Sequence, residues 1–229
     1  MRRVGSVLFV ILLVAAGCKD GGAVTTTTTL PSVGQLLADT ANTMETVETL
    51  RYEMELSGAP ITLLGFGLSS AIGQYAAPDA SQAQLKVVVG GLTIELATIA
   101  IGDRSWVEIP IVGGWDEYTG SRAFNPAIIF DPDLGWRPLL TTDIGNARLL
   151  EVTDDRFRVT GTTAPERVEV LTAGLVDAQP VDLIIDIDRD TGVVTGMDFT
   201  TIGEDGETIW KLRLSEFGSE VSINPPQVD

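Results

Sequence analysis

Three aspartates that alternate along one short segment most resemble a metal site. Asp186, Asp188 and Asp190 precede Gly192. Alternate carboxylates can converge on a hard cation such as Ca²⁺ while a glycine supplies the sharp turn. The EF-hand pattern needs a glycine directly after the third acid and a bidentate glutamate further on, and this sequence has neither. We therefore interpret the segment as a polar hairpin turn and predict no metal site.

Two further pairs of carboxylates have the residue types of a glycosidase acid and base. They are Asp131 with Asp133 and Asp154 with Asp155, and such an enzyme needs two carboxyl groups across a cleft. Aspartate also accepts hydrogen bonds from free backbone N–H groups in turns, which explains each pair more simply. The chain contains no histidine, so a Ser-His-Asp or Cys-His nucleophile is excluded. The sequence predicts no catalytic residue, no cofactor and no enzyme, with a carboxylate hydrolase as the weaker alternative.

The single cysteine, Cys18, follows a segment typical of export signals. Arg2 and Arg3 precede an apolar run, residues 7–16, that is too short to cross a hydrocarbon core of about 30 Å. The run ends in Ala-Ala-Gly-Cys at 15–18, which resembles a lipobox. We expect residues 1–17 to be a cleaved signal peptide and a doubly acylated Cys18 to anchor the chain on the extracytoplasmic face of the cell membrane. An ordinary secretory signal and an uncleaved anchor are the alternatives.

The residues from Cys18 onward divide into a tether and one folded domain. Residues 18–31 are rich in threonine and other small residues and cannot bury enough apolar surface to fold. The five threonines at 25–29 are interpreted as a plain spacer, with O-linked glycosylation as the alternative. Residues 32–229 have the length of one domain with a sizeable core. The full sequence has a net charge of −17, which predicts no electrostatic binding to nucleic acid or to anionic lipid head groups.

The domain begins with a predicted helix over residues 32–49. Ser32 can cap this helix, and Gln35 stands at the capping-box position. Its apolar residues recur near helical spacing and are expected to pack onto a sheet. They are Leu36, Leu37, Ala41, Met44 and Val47.

Two more helices are predicted later in the chain. Pro138 would break a long helix near 124–142, so a short or kinked one is expected there. Residues 164–174 predict another short helix, with Thr163 as its cap and Pro165 in its first turn. Strand-like segments with hairpin turns make up the remainder, which indicates an antiparallel α+β fold.

The strand-like segments alternate apolar and polar residues with a period of two. A change of parity after Leu96 predicts a β-bulge near Ala97. Apolar residues of four such segments are the candidate ligand-binding residues. They are Met54, Leu56, Val87, Val89, Ile94, Leu96, Trp210 and Leu212. Periodicity alone does not distinguish a filled core from a cavity, so both interpretations stay open.

Three stretches of the domain resemble the LppX/LprA/LprF/LprG family of actinobacterial lipoproteins. The first is Val-Gly-Gly-Leu-Thr-Ile at 89–94 with Ile-Gly-Asp-Arg-Ser-Trp-Val at 101–107. The second is Asn-Pro-Ala-Ile-Ile-Phe-Asp-Pro-Asp-Leu-Gly at 125–135, which ends in Leu139-Leu140. The third is Phe-Arg-Val-Thr-Gly-Thr at 157–162 with the later turn at 185–192. Their order, with the lipobox ahead of them, is more specific than any one of them.

The resemblance implies an open antiparallel β half-barrel of the LolA/LppX type with helices packed on its concave face. It also implies an apolar cavity that binds acylated lipids or lipoglycans and helps transport them across the cell envelope, with a lipid transporter open as a further partner. A structural or partner-binding envelope lipoprotein with a filled core is the alternative. The chain departs from the family pattern at Trp136 and Pro138, where a smoother helix is expected, and in the glycine-rich segment 64–68.

Overall fold

The computed structural model describes residues 30–110, 113–119 and 124–227. Within these ranges, the chain from Pro31 onward forms one compact unit. No helix in the described ranges is both long and apolar enough to cross a membrane. The predicted signal peptide, Cys18 and most of the predicted tether lie outside the described residues.

One antiparallel sheet organises the described part of the chain. Its twelve strands are β1 Thr49–Gly58, β2 Ile61–Leu63, β3 Phe66–Ala76, β4 Ala80–Val89, β5 Leu92–Ile101, β6 Arg104–Glu108, β7 Trp115–Thr119, β8 Ile144–Val152, β9 Arg156–Thr163, β10 Asp182–Asp188, β11 Val194–Gly203 and β12 Gly206–Ser215. Eleven of them follow the order β7-β6-β5-β4-β3-β1-β12-β11-β10-β9-β8, and β2 pairs with β3. The sheet is open, with β7 and β8 at its two edges.

The alternation in the sequence determines which side chains face the interior. Met54 of β1 lies opposite Leu212 of β12 and opposite Ala71 of β3. Leu212 in turn lies opposite Met197 of β11, and Met197 lies opposite Ile185 of β10. Because every second side chain of a strand points to the same face, these residues form one apolar face that continues across the sheet. The helices cover this concave face and share its core.

Helix α1 spans Val33–Met44 and buries Leu36, Leu37, Ala41 and Met44, as predicted. Ser32 caps the helix and accepts a hydrogen bond from the backbone N–H of Gln35 at 3.2 Å. The Gln35 side chain does not complete a capping box, because it donates to Asp39 at 2.8 Å. The helix ends five residues before the predicted boundary at 49, because β-branched Thr46 and Val47 disfavour further helix, and residues 45–46 form a turn instead. Val47 lies half-buried beyond the helix end.

The chain between β7 and β8 is helical but broken, as Pro138 predicts. A 3-10 helix spans Pro126–Ile129, a π-helical turn spans Pro132–Trp136, and α2 spans Arg137–Thr141. Residues 126–141 are called the helical segment below. A β-carbon on Gly135 would lie 2.2 Å from the carbonyl oxygen of Ile129, so glycine is required for the π-helical turn to approach the 3-10 helix.

Helix α3 spans Pro165–Leu171, but its predicted cap is wrong. Ala164 occupies the capping position and makes no side-chain hydrogen bond there. Thr163 belongs to β9 instead, where its backbone N–H donates to Val181 O at 2.9 Å and its hydroxyl accepts from Val181 N at 3.4 Å. Pairing with residue 181 therefore holds Thr163 in the sheet and away from the helix start.

The predicted bulge near Ala97 is also wrong. β4 and β5 pair without a register shift along their whole length. The parity of apolar residues changes because Ile99 and Ile101 lie half-buried on the outer face, while Thr98 and Ala100 stay on the buried face. Register shifts occur elsewhere, with one in the β3–β4 pair, one in the β10–β11 pair and two in the β8–β9 pair.

Candidate functional site

All eight residues predicted as ligand contacts lie on the concave face of the sheet. Six of them form direct cross-strand pairs, which are Met54 with Leu212, Leu56 with Trp210, and Val87 with Ile94. Five expose 6% of their surface or less, and these are Met54, Val87, Leu96, Trp210 and Leu212. Leu56 and Ile94 are half-buried, and Val89 exposes 39% of its surface. The structure therefore brings the eight together on one face, with packing that loosens toward the ends of the strands.

Aromatic side chains fill the middle of the space between the sheet and the helical segment. The ring of Phe130 lies 5.1 Å from that of Tyr52 and 5.4 Å from that of Tyr75, and Trp136 follows at 6.5 Å. Tyr52 also forms a buried hydrogen bond of 2.8 Å with the Ser81 hydroxyl. These contacts anchor the helical segment to β1 and β3 through a filled centre.

Burial of the two tyrosines changes their ionisation. It raises the pKa of Tyr52 well above its usual range, with the Ser81 hydrogen bond opposing the shift in part. Burial also raises the pKa of Tyr75 to about 12, and the negative charges of Asp131 and Asp79 act in the same direction. Both phenols therefore remain neutral at physiological pH, which suits a structural role.

A cavity of about 520 Å³ lies beside this aromatic cluster. It is formed by the β3–β4 turn, the β5–β6 turn, the helical segment and the end of α3, and it is called the end cavity below. Its apolar lining comes mainly from Pro78, Ala127, Ile128, Leu134 and Val170. The carboxylates among its lining residues are Asp79, Asp131 and Glu169. Leu134 exposes 53% of its surface, so part of the apolar lining meets solvent.

Asn125 fixes the turns that bound the end cavity. Its side-chain amide donates to the carbonyl oxygens of Asp79 at 2.9 Å and Gly102 at 3.0 Å. Its side-chain oxygen accepts a hydrogen bond from the N–H of Ala127 at 2.9 Å. One residue thus ties two strand turns to the start of the helical segment.

Two arginines fasten the helical segment to the neighbouring helices. Arg167 of α3 donates to the Asp143 carboxylate from Nε at 2.8 Å and from Nη2 at 2.5 Å, and also to the carbonyl oxygen of Leu134. Arg137 of α2 pairs with Glu45 at the end of α1. The Arg167 side chain is only 12% exposed, and charged hydrogen bonds of this kind contribute more than neutral ones. The helical segment, which forms one wall of the end cavity, is therefore held by arginine side chains whose contributions single substitutions can measure.

Three of the carboxylates that resembled catalytic or metal-binding groups, Asp131, Asp155 and Asp188, accept hydrogen bonds from nearby residues of the chain. One oxygen of Asp131 accepts the N–H groups of Asp133 at 2.8 Å and Leu134 at 2.7 Å. Asp188 accepts three hydrogen bonds from its own turn, and these bonds hold its pKa below the usual range. A bond from Thr153 likewise lowers the pKa of Asp155. Among the described residues, no group of three or more acids is placed to hold a metal ion.

Sequence reasoning did not identify the residues that line the end cavity. Asn125, Ile128 and Leu134 lie in the stretch where a short or kinked helix is predicted, and Val170 lies in the predicted helix 164–174. Neither prediction gives these residues a ligand-binding role. The signal was present in part, since Asn125-Pro126 and Asp131-Pro132 both mark starts of short helical turns. The sequence pattern does not show that these turns contact residues 79 and 102, because those contacts form only when distant parts of the chain fold together.

The comparisons with known proteins agree with this architecture. The crystal structure of LprF from Mycobacterium bovis is similar with a TM-score of 0.65 and 14% identity, covering 85% of this chain and 96% of LprF. That of the Mycobacterium tuberculosis lipoprotein LppX has a TM-score of 0.59 and 16% identity, covering 84% of this chain and 98% of LppX. At these identities the likeness shows the fold.

The family assignment rests on a separate comparison of sequence. No protein with a curated function matches the chain. The sequence profile of the LppX_LprAFG lipoproteins, however, matches residues 33–223, which is nearly the whole described domain. The chain therefore belongs to the LppX_LprAFG lipoprotein family.

Proposed function

We propose that this protein is a membrane-anchored lipoprotein that binds an acylated lipid or lipoglycan in the end cavity and carries it across the cell envelope. The observation that carries the proposal is the cavity of about 520 Å³ between two strand turns, the helical segment and the end of α3, in a member of a lipoprotein family. Ligand sites in proteins usually have volumes of about 300–1,000 Å³. The mechanism is passive and needs no catalytic residue.

The chemistry of the lining supports an acyl chain as the buried part of the ligand. Each methylene taken from water into an apolar site contributes about 0.8 kcal/mol, and Ile128, Leu134 and Val170 offer such a site. The carboxylates Asp79 and Glu169 favour a head group that is neutral or cationic, because an anionic group would meet like charge. The ligand therefore enters with its chain toward the apolar lining and its head group toward solvent.

The eight concave-face residues predicted from the sequence remain candidates for contacts further along the same face. They occupy the apolar surface that continues from β5 through β4, β3 and β1 to β12. Acyl chains longer than the end cavity would have to displace part of the helical segment to reach them, since Phe130 fills the centre.

The test is a substitution that fills the end cavity. Val170→Trp places a large ring at a half-buried lining position, so we expect co-purified lipid to fall at least tenfold with little change in melting temperature. Native mass spectrometry of protein purified from its own host measures the lipid. Val159→Trp is the matched control, because Val159 of β9 is fully buried, lies outside the lining of the end cavity and is not one of the eight candidate contacts. Overpacking there should cost about 1–3 kcal/mol of stability.

Two results would contradict the lipid-carrier proposal. One is a wild-type protein that carries no lipid after gentle extraction. The other is a Val170→Trp variant that keeps the wild-type amount. Either result favours a structural or partner-binding envelope lipoprotein, an alternative consistent with the filled aromatic centre around Phe130.

The anchor is tested separately by Cys18→Ala. Since Cys18 is the single cysteine, the variant has no thiol for acylation and should leave the detergent phase in phase partitioning. A serine at residue 17, Gly17→Ser, keeps the thiol and serves as a control for changes in the segment itself. A Cys18→Ala protein that stays in the detergent phase at the wild-type level would overturn the proposed lipid anchor.

A further inference from the structure

The outer face of the sheet carries a second cavity, of about 510 Å³, that the proposed lipid site does not use. It is called the outer trough below. The residues that define it are Gln74, Gln82, Gln84, Ile99, Glu108 and Trp115. It lies on strands β1 and β3 to β7, on the face opposite the apolar core.

The register places apolar and polar groups of the outer trough in one line across neighbouring strands. Ile72 lies opposite Gln84, and Gln84 lies opposite Ala97. Ala97 lies opposite Glu108, which lies opposite Trp115. Neighbouring strands are about 4.8 Å apart. Along this line the polar side chains of Gln84 and Glu108 therefore alternate, at that spacing, with the apolar side chains that form the floor of the trough. The half-buried Trp115 closes it at the β7 edge.

The three glutamines give the trough paired donors and acceptors. The amide of Gln82 donates to Gln74 Oε1 at 2.7 Å, which holds these two side chains in place. That bond leaves the carbonyl oxygen of Gln82 and the amide nitrogen of Gln74 available to a ligand. The Gln84 side chain is exposed and adds two donors and an acceptor. Side-chain amides of this kind match hydroxyl groups, which also donate and accept.

The charges of the trough argue against an ionic ligand. Arg51 is the cation among its lining residues, and it already contacts Glu53 at 3.3 Å and Glu216 at 3.9 Å. Glu108 would repel an anion. An acyl chain would bury the glutamine amides without hydrogen bonds, which is costly. A neutral ligand with several hydroxyl groups and one apolar face satisfies both the amides and the floor.

We propose that the outer trough binds a neutral saccharide, with its hydroxyl groups on the glutamine amides and its C–H face on Ile99 and the ring of Trp115. The saccharide is either a free sugar or the sugar part of a neutral glycolipid. This site is independent of the end cavity, because it lies on the other face of the sheet and needs no acyl chain.

Tryptophan fluorescence can report on this site alone. Trp106, Trp136 and Trp210 each expose 1% of their surface, whereas Trp115 is partly exposed. Quenching of the full chain's tryptophan fluorescence by acrylamide therefore reports mainly on Trp115. The probes are maltose, cellobiose, trehalose and mannobiose, each titrated to about 100 mM, well above a millimolar Kd. A neutral alkyl maltoside below its micelle concentration is the glycolipid arm, and the protein is kept in a sugar-free detergent.

We expect at least one probe to protect Trp115 from quenching saturably, and Gln84→Ala to weaken that binding about tenfold or more. Gln35→Ala, an exposed glutamine on α1, is the matched control and should bind like wild type. Protection by a disaccharide identifies a free sugar as sufficient, and protection by the maltoside alone identifies a glycolipid. Absence of protection with every probe, or equal binding by Gln84→Ala and wild type, overturns the proposal whatever the lipid content of the end cavity.

Discussion

Gly73 on β3 gives the sharpest test of how the sheet packs against the aromatic cluster. A β-carbon at this residue would lie 2.4 Å from Tyr52 Cζ and 2.5 Å from the carbonyl oxygen of Gln82. Neither atom can yield easily, because Gln82 contributes backbone and the Tyr52 hydroxyl is hydrogen-bonded to Ser81 at 2.8 Å inside the core. Gly73→Ala should therefore force the Tyr52 ring away from β3.

The expected cost combines three effects of known size. Overpacking costs about 1–3 kcal/mol, and loss of the Tyr52–Ser81 hydrogen bond costs about 0.5–1.5 kcal/mol. The lower entropy of the unfolded alanine chain offsets about 0.4–1 kcal/mol. Gly73→Ala should then lower the free energy of unfolding by about 2 kcal/mol, which lowers the melting temperature by about 4–8 °C for a domain of this size.

The measurement is chemical and thermal unfolding of Gly73→Ala beside Gly67→Ala. Gly67 lies on the same strand, but a β-carbon there would meet Val88 O at 3.6 Å and Pro60 Cβ at 3.8 Å, which are ordinary contacts. Gly67→Ala should therefore stay within about 0.5 kcal/mol of wild type. Equal stability of the two variants would refute the packing argument, because strand, residue type and substitution are the same.

Two other predictions concern the aromatic cluster and the wall of the end cavity. The pKa of Tyr75 is about 12 in the folded protein and about 10 in the unfolded chain. Because the unfolded chain therefore loses this proton first, the free energy of unfolding should fall as the pH rises from about 10 to 12, by about 2–3 kcal/mol from this group. Urea unfolding across that range should show a smaller fall for Tyr75→Phe, and an unchanged slope would contradict the assignment. Arg167→Met should speed deuterium exchange in residues 131–141 several-fold, because it removes the bonds to Asp143 and to the Leu134 carbonyl, whereas exchange at the wild-type rate would show that the wall is held by other contacts.

The sequence predicted the parts of the fold whose pattern is strong. The alternation around Met54, Leu56, Trp210 and Leu212 identified strands and the face they share. β3 was not predicted, because its inward positions include the small residues Ala71 and Gly73 and give little hydrophobic contrast.

The end cavity could not be read from the sequence for a different reason. Its lining brings together Asp79, Gly102 and Asn125 from three separate turns or loops and Val170 from α3. Local pattern reports which face of an element is apolar, but the position of a cavity depends on how turns from distant elements meet. The same limit explains the assignment of Thr163 as a helix cap, since its long-range bond to Val181 decides its conformation.

The open edges of the sheet affect how neighbouring copies of the chain behave at high concentration. An unpaired edge strand offers backbone groups to another chain and so invites aggregation. β7 is five residues long and carries Asp116 and Glu117, and β8 departs twice from regular register with β9. A short, charged strand and an irregular one are both poor templates for a further strand. The sheet can therefore keep its two edges unpaired without recruiting the strands of adjacent molecules.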